Sequence, residues 1–213
     1  MIRVIAVMLA VVMIAAVFSP PVSAQVITGG LKTGVNFAGL RGEKTGSGFT
    51  KRRTGVSAGC FITFNFNETY AIQPELYYTM KGMRQKVEEV FESTIMVDYL
   101  EVPVLIVYSS ETKDNVKFSF FTGPTFAYNQ KSITKISPVE GKKEEKDLDT
   151  KVFDYGLTFG MDISIDAHYF KVILESRYTR GLTVINKDWS NNPGGEYFEV
   201  RNSVFSFLIG FAL

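Results

Sequence analysis

Cysteine, histidine and tryptophan are almost missing from this 213-residue sequence, which has one of each: Cys60, His168 and Trp189. A single cysteine cannot form an internal disulfide, and one histidine with one cysteine leaves a zinc or haem site almost without ligands. We therefore expect no metal and no cofactor. The one available imidazole base, His168, falls at a predicted turn where it would have little shelter. We expect no enzymatic activity and assign no catalytic residue.

The sequence also lacks a charge imbalance, and beyond its first residues it lacks a long apolar stretch. It carries 23 basic and 22 acidic residues, so nothing indicates nucleic acid as a partner. After the N-terminal region no apolar run approaches the roughly 18 residues of a membrane-spanning helix. This excludes helical spans there but not membrane-spanning strands, because the alternating pattern of such strands is weak in each one.

The N-terminus has the parts of a secretory signal peptide. Arg3 gives a short positive start, an apolar run extends from Val4 to Phe18, and Val22-Ser23-Ala24 is a small-residue cleavage site. The run is shorter than the roughly 20 residues needed to cross a bilayer. We predict cleavage after Ala24, so that residues 1–24 are the signal peptide and residues 25–213 form one mature domain.

The C-terminal segment alternates bulky and smaller residues up to its last position. On an open edge in water such an apolar face would pair with another chain. In a closed barrel lipid solvates the face and no edge remains. Aromatic residues make up 14% of the chain, which is expected where aromatic girdles mark two membrane interfaces. The bulky residues that share one parity are Phe205, Phe207, Ile209, Phe211 and Leu213.

The same period of two recurs along the chain and predicts eight strands. The connections between them alternate between short and long. An even strand count with short turns at one end and long loops at the other is typical of outer-membrane barrels, whose turns are periplasmic and whose loops are extracellular. The sequence thus predicts an all-β fold, an eight-stranded antiparallel up-and-down transmembrane β-barrel. The predicted strands are residues 30–40, 53–66, 70–81, 94–108, 116–129, 151–165, 168–182 and from about 200 onwards.

A secreted lipocalin-like barrel is the soluble alternative, since it also has eight strands. Such a barrel holds its apolar side chains inside. Here the polar parity is rich in Gly, Ser, Thr and Asn, which suits a narrow interior, whereas the apolar parity carries residues too bulky to fill it. The predicted strands also exceed the usual soluble length of about five or six residues. We therefore favour the membrane barrel.

Three prolines fall inside the predicted strands: Pro74, Pro103 and Pro124. Each removes a donor from the hydrogen-bond ladder, and a closed barrel has no free edge where that loss is harmless. We expect these prolines at bulges or near frayed strand ends.

Charged residues also occur on the parity that would face the barrel interior. They indicate either a proton or ion path or a structural ladder of paired charges. We favour the ladder, because eight strands enclose space only for side chains and buried charges must be paired. In the last long loop, Trp189 is a candidate contact to a ligand or to the membrane interface. The predicted ladder consists of Glu75, Glu101, Lys117, Asp154, Asp162, Lys171, Glu175 and Arg177.

Short motifs in several strands resemble one known family. They are Gly34-Val35-Asn36-Phe37, Ile72-Gln73-Pro74-Glu75-Leu76-Tyr77-Tyr78, Asp98-Tyr99-Leu100-Glu101-Val102-Pro103, Asp154-Tyr155-Gly156-Leu157 and Glu175-Ser176-Arg177-Tyr178. The chain resembles the PorT-like outer-membrane β-barrel family of the Bacteroidetes, a small-barrel family. The resemblance implies the fold and the location. PorT itself is linked to protein secretion and gliding, a role that these motifs alone do not transfer to this chain.

The function expected from these observations is a non-enzymatic integral outer-membrane barrel, either structural or binding through its extracellular loops. The alternative is an accessory component of a protein-secretion system, and a distant alternative is a lipid-modifying barrel enzyme. The expected partners are outer-membrane lipid, the barrel assembly machinery during insertion, and secretion-system or envelope proteins. The expected location is the cell outer membrane, reached by export through the N-terminal signal.

Overall fold

A computed structural model describes residues 27–41, 49–87, 91–111, 115–138, 144–186 and 199–213. The predicted signal peptide and Trp189 lie outside these residues. Within the described ranges, no helix is long and apolar enough to cross a membrane. The strands are β1 (Ile27–Arg41), β2 (Phe49–Asn65), β3 (Tyr70–Val87), β4 (Phe91–Glu111), β5 (Val116–Pro138), β6 (Glu144–Asp147), β7 (Phe153–Asp166), β8 (Lys171–Gly181) and β9 (Arg201–Ala212).

Eight of these strands close into a barrel, and the short β6 lies beside it. The order around the sheet is β4-β3-β2-β1-β9-β8-β7-β5, and β4 pairs with β5 to complete the circle. The first and last strands are neighbours, since β1 pairs with β9 from Gly30 and Ala212 to Arg41 and Arg201. Closure gives both strands a partner on each side, which is what backbone groups require in hydrocarbon. The predicted fold class is confirmed.

The pairing registers determine the tilt of the strands. A path through directly paired residues leaves β1 at Ile27, passes once around the barrel and returns to β1 at Phe37, ten residues further along. With strands about 4.8 Å apart and a rise of about 3.3 Å per residue, this stagger tilts eight strands by roughly 40°. One residue then advances about 2.5 Å along the barrel axis. The path visits Ile27, Phe64, Ile72, Ile106, Thr122, Phe159, Tyr178, Phe205 and Phe37.

Outward-facing side chains form an apolar band around the barrel. On β1 the band extends from Ile27 to Phe37, and at about 2.5 Å per residue it is about 25 Å tall, the height typical of outer-membrane barrels. Aromatic pairs lie near both margins. Tyr70 and Tyr108 have ring centroids 5.6 Å apart near the short turns, and those of Tyr128 and Phe153 are 5.5 Å apart near the long connections. We call these two ends of the barrel the turn end and the loop end.

Strands β3, β4 and β5 are longer than predicted and project beyond the barrel at the loop end. The pairing of β5 with β7 ends at Tyr128 and Phe153, yet β5 continues to Pro138. Its further residues pair with β4 and with β6, in a region expected to be loop. The alternation fades there because neither face lies against lipid. We call this the projecting sheet, formed by residues 83–87, 91–98, 129–138 and 144–147.

The three prolines lie within the strands, and the expectation that they would sit at bulges or frayed ends is wrong. Pro74, Pro103 and Pro124 occupy the neighbouring strands β3, β4 and β5. Pairing lapses for two residues beside each proline and resumes in the same register. The missing donor therefore costs only a local ladder bond. The register shifts lie elsewhere, between Arg52 and Ser57 and between Asp98 and Tyr99.

The lipid face predicts a position-dependent response to charge. Phe159 is 45% exposed on the outward face of β7, near the middle of the band, whereas its neighbour Thr158 is fully buried. Phe159→Arg should lower the free energy of unfolding by about 2–4 kcal/mol, measured by urea titration in lipid vesicles. The matched control is Tyr169→Arg, at an 86% exposed turn residue, which should cost less than about 1 kcal/mol. Equal losses would contradict the membrane placement.

Candidate functional site: the barrel lumen

Four charged side chains from three strands meet at the centre of the lumen. Lys32 Nζ lies 3.1 Å from Glu75 Oε1 and 2.6 Å from Glu175 Oε2. Arg177 Nη1 lies 2.7 Å from Glu75 Oε2, and Arg177 Nε donates to Glu175 Oε1. Each cation thus contacts both carboxylates, and the four side chains, at most 7% exposed, form a closed circuit of ion pairs. We call these four residues the lumen ring.

Inward parity and register bring the lumen ring together. Glu175 and Arg177 are two residues apart on β8, so both point inward. On β3, Gln73 is likewise two residues from Glu75, and its Nε2 donates to Glu75 Oε1 over 2.8 Å. Thr63 Oγ1 in turn donates to Gln73 Oε1 over 2.8 Å. The Glu75 carboxylate is therefore oriented by neighbours on its own wall as well as by the cations opposite.

Three inward-facing aromatic rings pack against the two cations. Lys32 Nζ lies 4.4 Å from the centroid of the Phe61 ring. The Arg177 guanidinium carbon lies 4.9 Å from the Tyr77 centroid and 5.4 Å from the Phe121 centroid. A cation over an aromatic face is stabilised electrostatically, and more so when water is excluded. The rings therefore stabilise the cations and fill the space around them.

Glycines on the inward parity make room for these rings. A methyl group added at Gly59 would lie 2.7 Å from the Tyr77 ring, closer than any real contact. The same holds beside the other two rings, so each large inward ring is matched to a glycine directly opposite it on the neighbouring strand. The three glycine–aromatic pairs are Gly30 with Phe61, Gly59 with Tyr77 and Gly160 with Phe121.

A second charged network lies nearer the loop end. Lys81 Nζ is 2.5 Å from Glu101 Oε1 and 4.7 Å from the centroid of the Tyr99 ring. Asn202 Nδ2 donates to Asp154 Oδ2 over 2.7 Å and to the Tyr99 hydroxyl over 3.2 Å. This network joins β3, β4, β7 and β9, so it ties opposite walls of the barrel together.

Hydroxyl groups fill the layer between the two charged networks. Thr158 Oγ1 lies 2.7 Å from Thr125 Oγ1 and 2.9 Å from Thr179 Oγ1. A small chamber in this layer, between Arg177 and Glu101, has about 10 Å³ of space open to a water-sized sphere. That is room for about one water molecule.

Apolar clusters close the lumen on either side of the polar layers. Two clusters lie below the lumen ring at the turn end, and one lies above the second network at the loop end. Water must therefore pass apolar contacts at both ends to reach the charged layers. The turn-end clusters contain Ala71, Leu105, Val107 and Phe121, and Phe61, Ile173 and Ala212, and the loop-end cluster contains Leu40, Met83, Ile185 and Val200 with Ile95 against it.

The structure separates the eight residues of the predicted ladder into four sets. Glu75, Glu175 and Arg177 meet in the lumen ring, and Glu101 and Asp154 belong to the second network. Asp162 is the cross-strand neighbour of Glu175 on β7 and is partly buried. The remaining two residues are Lys117 and Lys171.

Lys117 and Lys171 stand apart from the ladder, which corrects their predicted place in it. They lie at the start of β5 and β8, at the turn end, beyond the enclosed part of the lumen. Lys117 Nζ donates to the Glu68 carbonyl oxygen over 3.2 Å, and Lys171 is exposed. Their parity is inward, but inward parity leads to a buried partner only where the wall encloses the side chain.

Sequence reasoning missed Lys32 and Lys81 as members of the site. Both have inward parity on strands that were predicted, so the signal was present. It also left out Phe61 and Phe121, because large apolar residues were assigned to the lipid face. Contacts across the lumen depend on the stagger of the barrel, which no single strand reveals.

The one histidine and the one cysteine of the sequence, the side chains best suited to act as a base or a nucleophile, lie outside the lumen. His168 is exposed in the turn between β7 and β8, where its backbone N–H donates to Asp166 Oδ1 over 3.2 Å. Cys60 is a free thiol on the outward face of β2. Among the described residues, no group of three or more His, Cys, Asp and Glu side chains is placed to hold a metal ion.

Comparison with known proteins identifies the family. The family model for the outer membrane protein β-barrel domain matches residues 24–186 of this sequence, more than half of the chain. This chain belongs to that family. The barrel is accordingly an outer-membrane protein. The comparison with curated proteins finds no match.

Three solved outer-membrane barrels are similar to this chain. OprG from Pseudomonas aeruginosa is similar with a TM-score of 0.52 at 9% identity, over 90% of this chain and 98% of OprG. Neisserial surface protein A has a TM-score of 0.46 at 10% identity, over 87% and 96% of the two chains. Ail of Yersinia pestis has a TM-score of 0.44 at 12% identity, over 88% and 99%. At these identities the likeness concerns the fold alone.

The lumen ring predicts strong coupling between its members. Arg177→Met leaves Glu75 and Glu175 with Lys32 as their one cation, and should cost about 3–5 kcal/mol in urea unfolding. In that background Glu175→Gln should restore part of the loss, so the double-mutant cycle should show a coupling of roughly 0.5–3 kcal/mol. The control is Arg180→Met, at an exposed residue of the same strand, with a change within about 0.5 kcal/mol. Additive losses would contradict the ion-pair circuit.

Proposed function

We propose that this outer-membrane barrel is a closed, non-enzymatic scaffold that carries a binding surface at its loop end. The observation that carries the proposal is the lumen ring, which spans the interior near mid-height with side chains at most 7% exposed. Apolar clusters lie on both sides of it. An interior filled in this way supports the wall and leaves no path for a solute. The charges are therefore assigned a structural role rather than one in transport.

The projecting sheet supports the binding part of the proposal. Long connections of outer-membrane barrels are extracellular, so we place the loop end outside the cell. There β3, β4, β5 and β6 continue their pairing beyond the apolar band. Lys135 on β5 forms an ion pair with Glu145 on β6, and this contact lowers the pKa of the Glu145 carboxyl. A paired sheet presents side chains in a fixed arrangement, as a recognition surface requires.

Two other functions stay predictions. A secretion role like that of PorT would use the same projecting sheet to contact an envelope protein. A lipid-modifying enzyme requires a sheltered base beside a nucleophile, and the position of His168 in an exposed turn speaks against it. The closed lumen explains the inward charges without a substrate, and a secretion accessory would be one form of the proposed binding at the projecting sheet.

The closed lumen predicts an absence of conductance. The purified protein in planar bilayers should show no stable current steps, because the lumen ring and its aromatic rings leave no continuous water column. Stable channels of nanosiemens size in the unmodified protein would contradict the proposal.

The orientation predicts which end of the barrel is accessible on intact cells. On a Cys60→Ser background, Lys135→Cys places a thiol on the projecting sheet and Asn67→Cys places one in the β2–β3 turn. A membrane-impermeant maleimide should label the first on intact cells and the second after the outer membrane is permeabilised. Reversed labelling would place the loop end in the periplasm and overturn the proposed surface.

A further inference from the structure

Basic residues recur at one height about 10 Å beyond the loop-end margin of the apolar band. Because the strands are tilted, height along the barrel axis increases by about 2.5 Å for each residue along a strand. It increases by about 3 Å for each step from a residue to its direct partner on the next strand, in the direction from β1 to β2. On this scale, one basic residue on each of five strands, together with Lys151 just before β7, falls within about 5 Å of a common height. We call these residues the basic belt: Arg41, Lys51, Arg84, Lys131, Lys151 and Arg201. Lys51 and Lys131 lie beyond the register shifts of β2 and β5.

Acidic side chains offset one part of the belt more than another. On β9, Arg201 Nη2 lies 2.7 Å from Glu199 Oε2. The β5 side lies next to β6, whose sequence is Glu-Glu-Lys-Asp. On β4, Asp98 at this height is held by Arg53, 3.3 Å away, and by the Tyr78 hydroxyl, 3.1 Å away. The described charge is therefore most positive over β1, β2 and β3.

Lys51 and Arg84 form the centre of that positive sector. They are direct cross-strand partners in the β2–β3 pairing, and both are exposed. Like charges placed directly opposite each other in a sheet destabilise it. The next residue across the sheet from Arg84 is Thr94, which carries no charge. An anion held between the two cations would turn this repulsion into attraction.

The height of the pair specifies the source of the anion. Immediately beyond the hydrocarbon of a bilayer lie the headgroups, and Lys and Arg are the side chains that bind their phosphates. We propose that the basic belt, centred on Lys51 and Arg84, binds the phosphate groups of anionic lipid headgroups in the leaflet at the loop end. The proposal is independent of the scaffold function and relies on the proposed orientation only to name that leaflet as the outer one.

The test is a titration of the refolded full-length protein, in neutral detergent micelles, with a diphosphorylated lipid A followed by native mass spectrometry. Lys51→Gln with Arg84→Gln should weaken lipid A binding by about tenfold or more, because each charge-assisted contact is worth that much. Lys51→Arg should bind as the unmodified protein does. The matched control is Lys117→Gln with Lys171→Gln, which removes two basic residues at the turn end and should leave binding unchanged.

The outcomes separate the proposal from its rivals. Unchanged binding in the belt variant, or an equal loss in the turn-end variant, would overturn it. Zwitterionic phosphatidylcholine should bind equally to all variants, and inorganic phosphate should not displace lipid A at equal concentration. Displacement by inorganic phosphate would assign the site to free phosphate and overturn the lipid assignment. A heat-dependent gel shift verifies folding, and if the double variant fails to fold, Lys51→Gln at its exposed position decides in the same way.

Discussion

The ion-pair circuit of Lys32, Glu75, Glu175 and Arg177 is the interaction on which the interior depends. Buried charges are tolerated only when paired, and removal of one partner leaves the other charge buried and unpaired. Here two cations and two carboxylates cancel, and they join β1, β3 and β8 across the lumen. The aromatic rings fill the space beside each cation of the circuit. The glycines leave room for these rings, so that the strands of the barrel wall keep their positions.

On the outer surface the side chains are apolar rather than charged. Lipid solvates Phe, Leu and Ile there, so the bulky parity lies outside and small polar residues lie inside, the reverse of a soluble barrel. The basic belt lies about 10 Å beyond the apolar band, and the projecting sheet, which contains Arg84 and Lys131 of the belt, extends further still. The one chain thus meets three environments in sequence along the axis: a sealed interior beside hydrocarbon, a headgroup layer, and water.

Alternation was sufficient to predict the barrel, the strand number and the inward parity of Glu75, Glu175 and Arg177. It was insufficient beyond the membrane, where β5 continues to Pro138 and neither face is marked by lipid. It also could not pair Lys32 with Glu175, because that contact reaches from β1 past β9 to β8 and depends on how the closed barrel brings these side chains together in the lumen. The prolines did not mark bulges or strand ends, because Pro74, Pro103 and Pro124 interrupt a few ladder bonds without shifting the register.

Hydrogen exchange at the Arg177 guanidinium tests the sealed lumen most directly. The Nε proton of Arg177, bonded to Glu175 in the ring, should exchange with solvent far more slowly than that of exposed Arg84 when both are followed by NMR in lipid nanodiscs. Slow exchange at Arg177 alone is the result that the closed circuit predicts. Equal exchange at the two sites would show that water reaches the ring freely, and the structural account of the lumen would then be wrong.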